Sequence, residues 1–246
     1  MTEDFFQNIQ DLSFIPDHKL ELIKEFGRVN KPNQSMFYAS TNENTACIET
    51  FSKGLNMRKL LKKKKLFIAV GVWHIEKPLA LAQMISPIKY LNTLNNTETI
   101  TAQKKENIIA NNEYIRKLIS NEEQYKIWNF FSEEFAKNEI TNHNDYKLSN
   151  YFADRVFNKN KQFNIKTNID GVYYPSVASN YQETNIVLLP KIVNTKLKFL
   201  WANMIWVSYL ENENKIVFSY LVQNAKAINN KIEWNFRPFA KTTPIL

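Results

Sequence analysis

The chain has one cysteine, Cys47, so no disulfide can form within it. Its three histidines, His18, His74 and His143, stand too far apart in sequence to suggest a zinc site. Four glycines supply neither a Gly-x-Gly-x-x-Gly turn nor a Walker lysine loop, which argues against a Rossmann or P-loop nucleotide site. So few glycines, with eight prolines, also argue against collagen-like or linker-rich architectures, and no fixed-period repeat is visible. No apolar run approaches the roughly 18–20 residues of a membrane span. The start, Met1-Thr2-Glu3-Asp4-Phe5-Phe6, is acidic where a secretory leader would be basic and then apolar. These absences lead us to expect a cytoplasmic protein that holds no metal and crosses no membrane.

What is present supports a sizeable core. Of 246 residues 44% are hydrophobic, including 17 Phe, 11 Tyr and 5 Trp, enough large apolar surface to offset the entropy lost on folding. We expect one domain over residues 1–246. The net charge of +8 raises the question of nucleic acid. Only five of the 32 basic residues are Arg, however, and the densest cluster, Arg58-Lys59 with Lys62 to Lys65, directly precedes the apolar run Leu66-Phe67-Ile68-Ala69-Val70. A solvated helix end leading into a strand explains that cluster better than a phosphate-binding patch.

Residues 3–26 read as one or two short helices broken near Pro16. Met36 to Ser40 suits a short strand. Ser40-Thr41-Asn42-Glu43 has the capping-box form, so a helix is expected to start near Thr41, with Ser40 accepting from the backbone N–H of Glu43. On that helix Cys47, Ile48, Phe51 and Leu55 form one stripe, and Glu49 lies about 150° from its centre at about 100° per residue, facing away from the core. Residues 65–75 form a strand, and Pro78 to Met84 begin a segment of unassigned type. Residues 92–101 are polar and loop-like. Lys104 to Phe135 is largely helical with a break near Asn121, and Tyr146 to Phe157 is a further amphipathic helix. Asp170 to Tyr174 and Asn185 to Leu189 are strand candidates. Leu197 to Leu210 and Lys215 to Val222 are rich in β-branched and aromatic residues, and Lys231 to Phe236 is expected to pair with the preceding strand across a turn at Asn229-Asn230. The sum is an α+β fold with a mainly antiparallel sheet flanked by helices.

Several of these segments carry a joint pattern. Arg28-Val29-Asn30-Lys31-Pro32 is followed by Tyr38 in an apolar strand and by Glu49 on the next helix. Far downstream stand Asp170-Gly171-Val172-Tyr173-Tyr174-Pro175-Ser176 and then Asn185-Ile186-Val187-Leu188-Leu189, preceded by Asp145-Tyr146-Lys147-Leu148-Ser149 with Phe152-Ala153. In order and spacing this resembles the RES domain family, most strongly over 27–53 and 145–190. The resemblance implies an ADP-ribosyltransferase-like fold and an NAD-consuming activity, a glycohydrolase, a phosphorylase or an ADP-ribosyltransferase, as in bacterial toxins of toxin–antitoxin systems. NAD would be substrate rather than cofactor, and an antitoxin protein would be the partner. The family usually carries a further Arg on an earlier strand, and the 27 residues before Arg28 contain none.

Cleaving the nicotinamide–ribose bond builds positive charge on the ribose, so the chemistry needs a carboxylate near the sugar and a means of holding the pyrophosphate. The resemblance assigns the carboxylate to Glu49 and phosphate contact to Arg28, both catalytic. It assigns ring stacking to Tyr38 and a hydrogen bond to the nicotinamide amide or a ribose hydroxyl to Ser176. The bland alternatives are an exposed Glu49 paired with Lys53, a surface Arg28, a half-buried Tyr38 and a turn serine at Ser176. Two rival functions remain beside the enzyme: a catalytically silent RES-like binding module, and a basic protein associated with nucleic acid through Lys59 and Lys62 to Lys65. No Gly-x-Ser-x-Gly surrounds Ser176, which argues against a serine hydrolase.

Overall fold

The computed structural model describes residues 6–52, 66–90, 102–158, 168–210 and 215–235. Within them the order of strands and α-helices is β1 (Phe37–Ser40), α1 (Glu43–Ser52), β2 (Leu66–Ile75), β3 (Leu81–Gln83), α2 (Ala102–Leu118), α3 (Glu122–Phe135), α4 (Lys147–Asn158), β4 (Gly171–Pro175), β5 (Thr184–Leu188), α5 (Pro190–Lys196), β6 (Leu197–Leu210), β7 (Lys215–Ala225), β8 (Ala227–Ile228) and β9 (Lys231–Ile232). Short 3-10 turns cover Ile9–Leu12, Asp17–Leu22 and His143–Tyr146. The fold is α+β, with sheets in which antiparallel pairing dominates. The basic cluster of residues 58–65 and the polar stretch 92–101 lie outside the described residues.

The strands fall into a four-stranded sheet in the order β1-β5-β4-β3, a three-stranded sheet β2-β6-β7 and the small pair β8-β9. Only β3 and β4 run parallel among the described pairs. Where the sequence suggests one sheet, there are two main ones. The expected partner of residues 231–236 is also different: Lys231–Ile232 pairs with the two-residue strand Ala227–Ile228, not with β7. Asn229 and Asn230 both take positive φ, 49° and 65°, as a tight turn between them requires.

Each sheet face has its own core. Phe37, Leu188 and Val193 are packed by Trp73, Leu79 and Ile186 on the side of the first sheet that meets β2. On its other side Val172, Tyr174 and Val187 meet Phe135 of α3 and Ala153 of α4 together with Val29, Met36 and Met84. The break between α2 and α3 sits where the sequence puts it, with the Asn121 side chain accepting from the backbone N–H of Gln124 at 2.9 Å. Helix α5 was not read from sequence. It spans only seven residues and is rich in β-branched and polar side chains, and its start depends on Pro190 at the first helical position. Asp170, 4% exposed at its side chain, accepts from the backbone N–H of Ala80 at 2.8 Å and pairs with Lys196 at 2.7 Å, tying the start of β4 to α5 and to the approach to β3.

Candidate functional site

Strand register places the site. Ser40 lies opposite Asn185 and Asn185 opposite Tyr174; one step along, Tyr38 lies opposite Val187 and Val187 opposite Val172. Directly opposed residues share a face and alternate residues along a strand return to it, so Tyr38, Ser40, Asn185 and Tyr174 all lie on the face that carries Val172 and Val187. Ser176 follows Tyr174 by two residues. The apolar half of that face is the α3–α4 core, and the polar half is the site.

Helix α1 brings the carboxylate. Its N-terminus is capped by Asn42, whose Oδ1 accepts from the backbone N–H of Thr45 at 2.8 Å, two residues later than the Ser40 capping box predicts. Ser40 instead donates to Asn185 Oδ1 at 2.7 Å, a partner 145 residues away. Glu49 Oε1 accepts from Ser176 Oγ at 2.6 Å and from Asn185 Nδ2 at 2.7 Å. The expectation that Glu49 faces away from the core is therefore corrected: it is half-buried and faces β4 and β5. The helical-wheel reading assumed one buried side, whereas α1 lies between two sheets. Glu43, six residues earlier and about 120° around the helix at 100° per residue, accepts from Asn203 Nδ2 of β6 at 2.8 Å and from the Tyr220 hydroxyl of β7. The suggested pairing partner Lys53 lies outside the described residues.

Tyr38 presents its ring at the surface, 39% exposed, while its hydroxyl is buried at the base. That hydroxyl donates to Asn30 Oδ1 at 2.8 Å and accepts from the backbone N–H of Val29 at 3.2 Å. Burial holds the phenol proton well above its ordinary range. Gly27 makes room for this arrangement: a Cβ there would stand 2.2 Å from Asn30 Oδ1 and 3.0 Å from the Tyr38 hydroxyl oxygen.

Arg28 is placed differently from a phosphate ligand. Its guanidinium donates to the carbonyls of Glu134 at 3.2 Å, Phe135 at 2.7 Å and Lys137 at 3.1 Å, closing the C-terminal end of α3. It stacks 5.1 Å from the Tyr146 ring centroid and 5.9 Å from that of Tyr174. Ser176 is fully buried, and its hydroxyl hydrogen goes to Glu49, so it cannot also reach a nicotinamide amide while that bond stands. The Ser176 oxygen accepts from the backbone N–H of Ser179 at 3.2 Å.

A cavity of about 180 Å³ is lined by Tyr38, Ser40, Glu49, Thr50, Tyr174 and Asn185. A larger cleft of about 500 Å³ lies between β1 and β2 and shares Tyr38, Ala39, Ser40, Ala46 and Thr50 with it. The two spaces flank β1, the edge strand of its sheet. Of the four residues picked from sequence, Tyr38 and Glu49 line the small cavity, Ser176 is bonded to Glu49, and Arg28 lies behind the Tyr174 ring without lining either space. Asn185 and Tyr174, quoted above only as parts of a motif, belong to the site. Their strand positions, in register with Ser40, were the signal that could have found them. Among the described residues no three His, Cys, Asp or Glu side chains come together as a metal would need. No protein-family model, no curated protein and no solved structure matches the chain.

Proposed function

We propose that the protein is a RES-like enzyme of ADP-ribosyltransferase-like fold that cleaves the nicotinamide–ribose bond of NAD. The observation that carries this reading is the carboxylate of Glu49, fixed by Ser176 and Asn185 at a cavity that Tyr38 and Tyr174 also line. As the C1–N bond breaks, its electron pair leaves with nicotinamide, and the positive charge developing on C1 is stabilised by the anchored carboxylate. Two neutral donors hold that carboxylate without cancelling its charge. The C1 position is then captured by water, phosphate or a protein nucleophile, which gives up a proton. Tyr38 offers a partly exposed ring for stacking. The adjoining cleft of about 500 Å³ has room for the remainder of a dinucleotide. The toxin role and an antitoxin partner follow from the resemblance alone.

The test is to incubate the purified protein with NAD and follow free nicotinamide. Wild type releases it, and Glu49→Gln, which keeps the shape and loses the charge, releases it at least about a hundredfold more slowly. Equal rates reject the role of Glu49, and no release by wild type rejects the enzyme. One observation favours the second reading, a silent nucleotide-binding module: Arg28, the expected phosphate ligand, is engaged by three carbonyls of the α3 end. Calorimetric binding of NAD without turnover would select that reading.

A further inference from the structure

The polar side chains around the small cavity have hydrogen-bond partners within the protein, with one exception. The Tyr38 hydroxyl is held by Asn30 and Val29, Ser40 by Asn185, Asn185 by Glu49, and Thr50 by the Ala46 carbonyl at 2.8 Å. Tyr174 also lines this cavity, and among the described residues its hydroxyl has no hydrogen-bond partner. Tyr174 is 5% exposed. Its ring is packed, with the Phe135 ring centroid at 5.4 Å and the Arg28 guanidinium at 5.9 Å, and the residue lines the cavity. The hydroxyl therefore faces the cavity as a donor that no group among the described residues engages. Burial also keeps this phenol protonated far above its ordinary range, so it is a neutral donor at any working pH.

We infer that the Tyr174 hydroxyl binds substrate directly and, with Glu49, grips the two hydroxyls of a ribose cis-diol. The Glu49 carboxylate accepts from one hydroxyl. Tyr174 donates to the oxygen of its neighbour. A cis-diol is the group that presents a donor and an acceptor side by side to such a pair, whereas a lone cation or a phosphate would suit only one of the two. The inference rests on the reading of the cavity as an NAD site and adds to it a residue and a specificity: the site would discriminate against sugars lacking a hydroxyl.

The test is Tyr174→Phe, which removes the hydroxyl oxygen and leaves the ring. Nicotinamide release from NAD and calorimetric binding of ADP-ribose are measured for both proteins, together with thermal stability. The expected result is a rise of about tenfold in KM for NAD and a loss of about tenfold in ADP-ribose affinity, the size of one neutral hydrogen bond. The melting temperature should be unchanged or raised, because a merely structural tyrosine would lower it on losing its hydroxyl. An ADP-ribose analogue lacking the hydroxyl that Tyr174 serves should bind both proteins equally. An active wild type with an equally active Tyr174→Phe, binding ADP-ribose as well, overturns this inference and leaves the proposed function standing. A wild type that neither consumes NAD nor binds ADP-ribose overturns both.

Discussion

Replacing Ser176 by Ala removes one oxygen from a site with 0% exposure, and the consequences can be worked through bond by bond. The hydroxyl donates to the Glu49 carboxylate at 2.6 Å and accepts from the Ser179 backbone at 3.2 Å. A hydrogen bond to a charged group contributes about 1.5–3 kcal/mol and an ordinary one about 0.5–1.5 kcal/mol. Glu49 is only half-buried, which favours the lower part of the first range. The net cost is about 2–3 kcal/mol, or roughly 5–10 °C in melting temperature for a chain of this size. Asn185 still holds the carboxylate at 2.7 Å, so Glu49 loses one anchor and drifts rather than detaching. Drift of a reacting group by a fraction of an ångström to one ångström corresponds to a loss of about tenfold to a hundredfold in turnover, smaller than that expected for Glu49→Gln. Nicotinamide release and thermal melting of the two single variants and the double variant close a mutant cycle. If Ser176 acts through Glu49, its removal costs little further activity once the charge is gone. Equal proportional losses in both backgrounds, or an unchanged melting temperature in Ser176→Ala, would refute the proposed linkage.

Arg28→Lys should lower stability by about 1–3 kcal/mol, because an ammonium cannot span the carbonyls of Glu134, Phe135 and Lys137 while stacking on Tyr146 and Tyr174. The KM for NAD should then stay constant at temperatures where the variant is folded, and a raised KM with unchanged melting would show that the guanidinium reaches a phosphate after all. Alkaline titration gives a separate check. Burial, with the Glu43 charge second, pushes the Cys47 thiol from 9.0 to about 12, and burial, with Tyr90 second, pushes Tyr181 from 10.0 to about 12. Both folded-state values are raised, so the stability these groups contribute is complete below about pH 9 and is lost as pH rises toward 12. Following tyrosinate absorbance together with far-ultraviolet circular dichroism should show part of the phenol signal appearing only as secondary structure is lost. Ionisation of every tyrosine around pH 10 in a protein that keeps its dichroism would contradict this.

The sequence discloses the elements better than the contacts they make. Strands β1, β2 and β4 to β7 and helices α2 to α4 announce themselves through apolar runs, periodicity and the Asn121 interruption, all local signals. The α1 start is misread by two residues because Ser40, a good local cap, turns its hydroxyl to Asn185 across the sheet while Asn42 caps the helix, and nothing near position 40 announces a partner at 185. Glu49 is correctly singled out and wrongly oriented for a related reason: angular arithmetic around one helix locates the apolar stripe but says nothing of a second sheet on the other side. Arg28 shows a further limit. Its isolation among lysines signals that a planar guanidinium matters, yet the same fork geometry that suits a phosphate also suits three carbonyls at a helix end, and only the course of the chain near residues 134–137 decides between them.

Helix α1 explains why the candidate site should be sensitive to residues far from it. Glu43 fastens its first turn to Asn203 and Tyr220 of the three-stranded sheet, and Glu49 fastens its middle to Asn185 of the four-stranded sheet and to Ser176 just beyond β4. The helix thus acts as a strut between two sheets, and the position of the Glu49 carboxylate relative to Tyr38 and Tyr174 depends on both ends being held. Edge strand β1 leads directly into this strut, with Ser40 bonded to the same Asn185 that holds Glu49. The polar face of the first sheet, the start of α1 and the wall of the larger cleft are therefore one connected hydrogen-bonded unit. In such a unit the carboxylate is positioned before any ligand arrives. That is the condition under which its charge can act on a developing cation without first paying to reorganise.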